Sequence, residues 1–316
     1  MHEARSLLII RNPHARTAPS ERELLEASAP LSRAGWDIEV HSTDAPHHAE
    51  SLAREAARRG VGIVVACGGD GTVREVVAGL VGTDAALGVI RGGTANVWAR
   101  EAGVPSGPRA ALAAMLRTSR HRVDTGLVSL DGGAPKRFLL RCSAGIDAAV
   151  LGEVEARGHK AGWGRAAFAW PAARALGSAP AIDAFVSVEG APALRRRLLL
   201  LVAGNSRLYG GLLRLTPEAL IDDGRLDVCA FSTDGGGPRR GVLVGSALLR
   251  GFTRRWGDAP GIDTARGASM TVEAEAPLAV QVDGEYLGVA RRLEVEVSAA
   301  SLVVLLGARG RELLGG

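Results

Sequence analysis

Short apolar runs alternate with amphipathic segments along the first third of the chain. The runs at about 7–10, 36–40, 61–67 and 87–90 predict strands, and the most continuous of them is typical of a central parallel strand that is buried on both faces. Ser20-Glu21-Arg22-Glu23 is a capping box that begins a helix reaching about Arg33, and 46–59 has the apolar spacing of a second helix. Strands separated by helices of this length predict a parallel sheet with right-handed crossovers.

The pattern changes near Arg122, after which strand-like runs dominate. These runs lie at 137–142, 182–188, 197–202, 226–231, 269–274, 278–282, 293–297 and 302–306. Helical patterns are expected only at 148–155, 164–176 and 241–252. The second part of the chain is therefore predicted to be a largely antiparallel β domain.

Two glycine-rich loops follow neighbouring strands of the predicted parallel sheet. The first is Gly68-Gly69-Asp70-Gly71-Thr72, and the second is Gly92-Gly93-Thr94-Ala95-Asn96. Glycine lets the backbone approach a ligand closely, and a helix N-terminus presents N–H groups to phosphate. Thr72-Val73-Arg74-Glu75 has the form of a second capping box, so Thr72 is expected to cap the following helix. With Asp70 as a fixed carboxylate, the first loop indicates nucleotide phosphate chemistry.

Composition narrows the class of protein. The chain has 316 residues, of which 47% are hydrophobic and 23% charged, as in a soluble globular protein with an ample core. The net charge of +4 is too weak to argue for nucleic acid but suits anionic ligands or an anionic membrane surface. Cys67, Cys142 and Cys229 have neither metal nor disulfide spacing, and buried thiols in a reducing cytoplasm are expected. No apolar run reaches transmembrane length, so any membrane contact is expected from the surface.

Two acidic motifs in the second part each have two interpretations. Asp283 and Glu285 would share one face if they lay on one strand, but Asp283-Gly284 is also a strong hairpin-turn signal, and spacing alone favours the turn. Asp222-Asp223-Gly224 suits a hard cation such as Mg²⁺, although an acidic turn is the commoner explanation.

Taken in order, the motifs resemble the catalytic domain of the diacylglycerol kinase and sphingosine kinase superfamily, and most of all its compact bacterial soluble lipid kinases. The motifs that carry the resemblance are Asn12-Pro13, Thr43, Gly68 to Thr72 with Glu75, Gly93-Thr94-Ala95-Asn96, Gly145-Ile146-Asp147-Ala148, Asn205 with Tyr209-Gly210-Gly211, Pro217-Glu218-Ala219, Asp222 to Asp227, and Val282-Asp283-Gly284-Glu285.

The resemblance implies a fold of α/β plus β type with two domains. A phosphofructokinase-like parallel-sheet domain would occupy residues 1–122, with 305–316 returning to it, and a β-sandwich domain that supplies the lipid-acceptor site would occupy 123–304. By resemblance, ATP would be held by Asn12, Thr43, Gly68, Gly69, Asp70, Gly71, Thr72, Glu75 and Thr94. A structural Mg²⁺ would be held by Asp223 and by groups at Leu220 and Arg225.

The resemblance also assigns catalytic roles and reverses the preference for a plain turn at Asp283. It places the proposed base at Glu285, beside Asp283, while some relatives give that role to the position of Asp70. Arg91 stands where relatives commonly have proline and is a candidate contact for an anionic headgroup.

The implied activity is ATP- and Mg²⁺-dependent phosphorylation of a lipid hydroxyl, on diacylglycerol or a sphingoid-type lipid. The expected location is the cytoplasm, peripheral at the inner membrane surface, and a homodimer is left open. Two alternatives remain. NAD kinase shares the Gly-Gly-Asp-Gly-Thr loop, and a degenerate kinase acting as a nucleotide or lipid sensor would fit Val97 and the altered turn after Asn12-Pro13.

Overall fold

The computed structural model describes residues 5–156, 180–209, 213–233 and 260–315. The chain forms two compact units: unit 1 is Met1–Asp124 with Ala299–Gly316, and unit 2 is Thr125–Ser298. The sequence-based division has its boundaries at 122 and 305. The helices expected at 164–176 and 241–252 lie outside the described residues.

The first part of the chain alternates strands and helices. Its elements are β1 (Ser6–Arg11), α1 (Glu21–Arg33), β2 (Asp37–Ser42), α2 (His48–Arg58), β3 (Ile63–Gly68), α3 (Asp70–Leu80), β4 (Ala86–Arg91), α4 (Val97–Glu101) and α5 (Pro108–Met115). The second part is mostly strand. Its elements are β5 (Ser119–Leu130), β6 (Lys136–Phe138), β7 (Arg141–Gly145), α6 (Ile146–Ala156), β8 (Ile182–Val188), β9 (Leu194–Gly204), β10 (Leu208–Tyr209), β11 (Leu213–Arg214), β12 (Leu226–Ser232), β13 (Ile262–Gly267), β14 (Ser269–Val282) and β15 (Glu285–Leu306), followed by a 3₁₀ helix at Gly310–Leu313.

Unit 1 is built on a parallel sheet in the order β15-β4-β3-β1-β2. Every residue of β3 is buried, as its apolar run predicts for a central strand. Ser20 caps α1, and the full capping box with Glu23 is present. The predicted α/β architecture is confirmed, and the carboxyl ends of β3 and β4 bring both glycine loops to one edge of the sheet.

Unit 2 is antiparallel and encloses its own core. Both β9 and β14 change partner along their length, from β8 to β7, so these four strands form a closed ring of pairings. The register of β14 against β15 shifts between Glu273 and Leu278. Such irregularities bend a strand, so that its two halves can belong to the two packed layers of a sandwich. The ring encloses buried side chains that include Phe138, Leu201, Val272 and Val280. The predicted β-sandwich class is confirmed.

Several predicted strand boundaries are wrong for identifiable reasons. The runs at 269–274 and 278–282 are one strand, β14, and the runs at 293–297 and 302–306 belong to the single strand β15. Conversely, the run at 137–142 is interrupted at Leu139 and Leu140, because their N–H groups donate to the carboxylate of Asp283 rather than to a neighbouring strand.

The three cysteines are free and buried, as predicted. Burial raises the pKa of the Cys67 and Cys229 thiols to about 12 and raises that of Cys142 further. Among the described residues, no helix has both the length and the apolar character needed to cross a membrane.

Candidate active site

The two glycine loops of unit 1 lie in direct backbone contact. Gly92 N–H donates to the Gly68 carbonyl over 2.8 Å. A Cβ atom on Gly93 would lie only 2.6 Å from the Cα of Gly69, and one on Gly68 would lie 2.4 Å from Thr72 Oγ1. Gly92 and Gly93 are therefore required by the closeness of the two loops, and Gly68 by the side chain of Thr72, quite apart from any ligand.

Gly71 is different. It is exposed, a Cβ built there would meet nothing within 4 Å, and its φ lies outside the left-handed region. Neither packing nor conformation requires a glycine at this position, the second residue of α3, and glycine lowers helix stability. What a bare position here does provide is close access to the N–H groups at the N-terminus of α3, which suits phosphate.

Polar side chains tie these loops together. Asp70 Oδ1 accepts from the backbone N–H of Val97, the first residue of α4, over 2.7 Å. Asn12 Nδ2 donates to Thr72 Oγ1 over 3.1 Å, and its Oδ1 accepts from His14 N–H. Asn96, which has a φ of 47°, makes two hydrogen bonds with the backbone of Gly93. The loops are thus held in one arrangement before any ligand arrives.

The expected cap at Thr72 is wrong. The helix α3 begins at Asp70 with Gly69 as its N-cap, so Thr72 is already the third helical residue and its hydroxyl accepts from Asn12. Glu75 does not complete a capping box. Its Oε2 accepts from Ala49 N–H in the first turn of α2, over 3.2 Å. An acidic residue at N1 stabilises the helix dipole, which makes Asp70 a favourable first residue.

The remaining nucleotide candidates of unit 1 differ in exposure. Thr94 is exposed in the second glycine loop. Thr43 is buried at the end of β2, where its N–H donates to the Arg11 carbonyl over 2.8 Å. Among the nucleotide candidates, Asn12 bonds directly to Thr72, whereas Thr43 and Glu75 bond to neighbouring elements.

In unit 2, Asp283 and Gly284 form the turn between β14 and β15. Val282 pairs with Glu285, and the φ values of 48° and 84° at the two central residues are those of a type I′ hairpin. The hairpin turn that the spacing favours is therefore confirmed, and Asp283 and Glu285 do not share one face of a strand. Their separation along the chain crosses a turn, and Glu285 is the first residue of β15.

The Asp283 carboxylate anchors this hairpin from within. It accepts three backbone N–H groups, from Leu139 at 2.7 Å and from Leu140 and Arg141 at 2.9 Å each. Desolvation raises the pKa of Asp283, and these hydrogen bonds and Arg141 oppose that rise. The geometry gives Asp283 a positioning role on the hairpin that carries Glu285.

A buried network holds the other side of the same turn. Gln281 Oε1 accepts from Gly284 N–H over 2.8 Å, and Gln281 Nε2 donates to Ser143 Oγ and to Asp147 Oδ2. Tyr209 OH also donates to Asp147 Oδ2, over 2.6 Å. Burial and the neighbouring Asp147 carboxylate raise the pKa of Tyr209. Sequence reasoning named Asp147 and Tyr209 only as family motifs and missed Gln281, which no local pattern marks.

In the acidic turn at 220–225, the carboxylate of the candidate Mg²⁺ ligand Asp223 is used by neighbouring groups of the protein. Asp223 Oδ1 accepts from Arg225 N–H, and its Oδ2 accepts from Arg266. Asp227 Oδ2 is buried without a hydrogen bond, 3.3 Å from Arg266 Nε. Burial raises the pKa of Asp227 to about 6, although Arg266 opposes the rise. The described residues contain no cluster of three or more His, Cys, Asp or Glu side chains suited to a metal ion, so a cation here would need main-chain carbonyls as ligands.

Comparisons with known proteins agree with this architecture. The model of the diacylglycerol kinase catalytic domain matches residues 6–128, and that of the YegS C-terminal NAD kinase beta sandwich-like domain matches residues 141–306. A Pseudomonas aeruginosa protein named "Probable lipid kinase YegS-like" is 33% identical over 98% of this chain and 96% of its own. The chain belongs to the diacylglycerol kinase family.

One further sequence relative and two solved structures extend the comparison. A Mycobacterium tuberculosis protein named diacylglycerol kinase is 30% identical over 96% of each chain. The crystal structure of a diacylglycerol kinase from Bacillus anthracis has a TM-score of 0.73 at 20% identity over 98% of each chain. An NAD kinase from Archaeoglobus fulgidus has a lower TM-score of 0.53 at 15% identity. These two structural likenesses concern the fold, whereas the sequence matches make this chain a kinase, a phosphotransferase, by family.

Proposed function

We propose that this protein transfers the γ-phosphoryl group of ATP to the hydroxyl of a lipid, with diacylglycerol or a sphingoid-type lipid as acceptor. The names of its sequence relatives support a lipid acceptor. The observation that carries the proposal is the paired glycine loops, in which Gly71 is bare although neither packing nor conformation requires it. Phosphoryl transfer relies mainly on positioning and charge stabilisation, which rigid loops of backbone N–H groups provide.

Glu285 is the proposed general base, and Asp70 is its rival. Asp70 already accepts from Val97 N–H through Oδ1, which places it as the group that joins the two loops. Glu285 is half-buried at the start of β15, directly after a turn that is fixed on both sides by Asp283 and Gln281. A base must be held in position to accept a hydroxyl proton, and such anchoring meets that requirement.

Mg²⁺ has two proposed places. One is with the ATP phosphates, where the ion supplies charge neutralisation during phosphoryl transfer. The other is the acidic turn, where Asp223 and main-chain groups at Leu220 and Arg225 would hold a structural ion. The Asp223 carboxylate supports the fit, because Mg²⁺ prefers carboxylate and carbonyl oxygens, whereas the buried Asp227 carboxylate already pairs with Arg266.

The test is transfer of label from [γ-³²P]ATP with Mg²⁺ to mixed micelles of diacylglycerol or sphingosine, with NAD in a parallel reaction. Label in an organic-extractable lipid is the expected result. Glu285→Gln is expected to lower turnover about a hundredfold or more, since general bases contribute that much. Glu296→Gln, an exposed position on the same strand, is the matched control and should be unaffected.

Three results would contradict the proposal. Label only in NADP would identify an NAD kinase, and ATP binding without transfer to any acceptor would identify a sensor. Near-normal turnover of Glu285→Gln together with loss of turnover in Asp70→Asn would transfer the base role to Asp70.

A further inference from the structure

Unit 1 contains a cavity that the proposed phosphoryl-transfer residues do not line. It lies between β4, α5, the loop after α4 and the end of β15, and its volume is about 460 Å³. The lining includes Val89, Val104, Ala114, Met115 and Leu305. The volume lies within the range of ligand pockets, about 300–1,000 Å³, and the lining is predominantly apolar, as in such pockets.

Three arginines gather around the end of α4, beside this cavity. Arg91 Nη2 donates to the Ala99 carbonyl over 3.2 Å. The stem of Arg309 covers Gly103, where a built Cβ would be 3.0 Å from the Cβ and Cδ atoms of Arg309. Arg100 lies on α4 itself. Arg309 also lines the cavity, as does Arg117, so positive charge adjoins an apolar space.

Like charges lie close together in this cluster. The pKa of Arg91 is lowered, first by desolvation and then by repulsion from Arg100 and Arg309. Its Nε is buried and has no hydrogen-bond partner. Within the described ranges, none of these three arginines forms an ion pair with a carboxylate. Gathering like charges at a partly buried position is unfavourable unless an anion joins them.

A purely structural role explains only part of this arrangement. Arg91 closes the C-terminal end of α4 through the Ala99 carbonyl, and a cation is favourable at that end. One donor suffices for that task. Capping of α4 does not account for the Nε of Arg91, which has no hydrogen-bond partner. Nor does it explain why Arg100 and Arg309 lie close enough to lower the pKa of Arg91.

We propose that the α4–α5 cavity and the Arg91–Arg100–Arg309 cluster together bind an anionic lipid, with its phosphate at the arginines and part of an acyl chain in the cavity. Charge complementarity identifies the occupant, since an apolar space bordered by guanidinium groups matches an anionic amphiphile. Leu116, which is 52% exposed at the end of α5, adds an apolar contact next to Arg117.

This occupant differs from the proposed acceptor. Diacylglycerol carries no charge for the arginines to recognise, and the amine of a sphingoid base would be repelled by them. The site therefore binds the protein to anionic lipid and is not the place where the acceptor hydroxyl reacts. Lipid binding at this site does not require the proposed kinase activity, so the experiment that tests the site measures binding alone.

The experiment measures cosedimentation with vesicles containing phosphatidylglycerol, and with phosphatidylcholine vesicles as the uncharged reference, in about 0.15 M salt. An arginine near an anionic surface contributes about fivefold in affinity, so Arg100→Gln/Arg309→Gln should weaken binding about 25-fold. The control Arg33→Gln/Arg58→Gln removes the same charge from exposed positions on α1 and α2 and should change binding by at most about twofold.

A second variant tests the cavity. Ala114→Leu places three more carbon atoms in it and should weaken vesicle binding about fivefold or more, while binding of free glycerol 3-phosphate to the arginines stays unchanged. If Ala114→Leu does not fold, Ala110→Leu, at an exposed lining position, replaces it. Calorimetry with ATP should give the same affinity for all these variants.

Three outcomes would overturn the proposal. Equal losses in the cluster variant and its control would indicate an unlocalised surface attraction. Unchanged vesicle binding in both cavity variants would exclude the acyl chain. Loss of ATP affinity in Arg100→Gln/Arg309→Gln would assign the cluster to the nucleotide site.

Discussion

At the scale of single residues, the glycines of the two loops separate into two kinds. Gly68, Gly92 and Gly93 are fixed by contacts within the protein, since a side chain at any of them would come within 3 Å of a neighbouring atom. Gly71 has no such neighbour. The first glycine loop therefore contains one glycine that packing requires, Gly68, and one, Gly71, that a ligand would require.

Alanine substitutions should distinguish these two kinds of glycine. Gly93→Ala forces a methyl group against Gly69 and should lower the free energy of unfolding by about 1–3 kcal/mol. Gly71→Ala should leave that free energy unchanged or raise it by up to about 1 kcal/mol, because alanine favours the helix, yet it should lower ATP affinity. Urea unfolding and calorimetry measure the two effects. A Gly71→Ala protein with normal ATP affinity would remove this position from the nucleotide site.

Asp283 offers a second test at this scale. Asp283→Ala leaves three buried N–H groups without an acceptor, at about 1–3 kcal/mol each, and should lower the free energy of unfolding by about 3 kcal/mol or more. Asp283→Asn keeps one acceptor oxygen and suits the left-handed turn position, so its loss should be smaller. Glu285→Gln is the control and should unfold at the wild-type urea concentration. Equal stability of Asp283→Ala and wild type would contradict the anchoring role.

At the scale of elements, the sequence predicts those helices and strands whose structure is determined by nearby residues in the chain. The capping box at Ser20 and the apolar run of β3 depend on neighbours in the chain, and both are confirmed. The break between β6 and β7 depends on a carboxylate more than 140 residues away, at Asp283, and no local signal reports it. The capping role expected of Thr72 fails for a related reason: its hydrogen-bond partner, Asn12, is 60 residues distant.

In the candidate site too, residues whose partners are distant in the chain cannot be recognised from the sequence. The glycine loops could be located from their own residues and the strands before them. Gln281 could not be, because its importance comes from meeting Gly284, Ser143 and Asp147 in the folded unit. Its position on β14 looks like an ordinary strand residue in the sequence.

Gln281 should matter to catalysis through the hairpin that carries Glu285. In Gln281→Leu, Gly284 N–H loses its acceptor and the turn loosens, so we expect kcat to fall about tenfold while KM for ATP stays the same. Thr271→Val, a polar-to-apolar change at the far end of β14, is the control. Steady-state kinetics with both substrates varied provides the measurement. A rise in KM for ATP with unchanged kcat would contradict the positioning role.

At the scale of the whole molecule, each unit has its own core and its own buried thiols. Cys67 lies in the sheet of unit 1, and Cys142 and Cys229 lie in unit 2. Burial raises the pKa of all three thiols above the ordinary value of 9.0. The folded protein therefore holds these protons more tightly than the unfolded chain does. Stability from this source is complete below about pH 9 and is lost as the pH rises toward the folded-state values.

The magnitude makes this alkaline loss measurable. Each thiol that ionises only in the unfolded chain costs about 1.4 kcal/mol per pH unit above its unfolded pKa. Urea unfolding under reducing conditions should therefore show a steep fall in stability between about pH 9 and pH 10.5. The variant Cys67→Ala/Cys142→Ala/Cys229→Ala starts from a lower stability at neutral pH but should have a much shallower slope. Because other groups titrate identically in both proteins, the difference in slope isolates the thiols, and equal slopes would show that the thiols ionise as readily in the folded state as in the unfolded one.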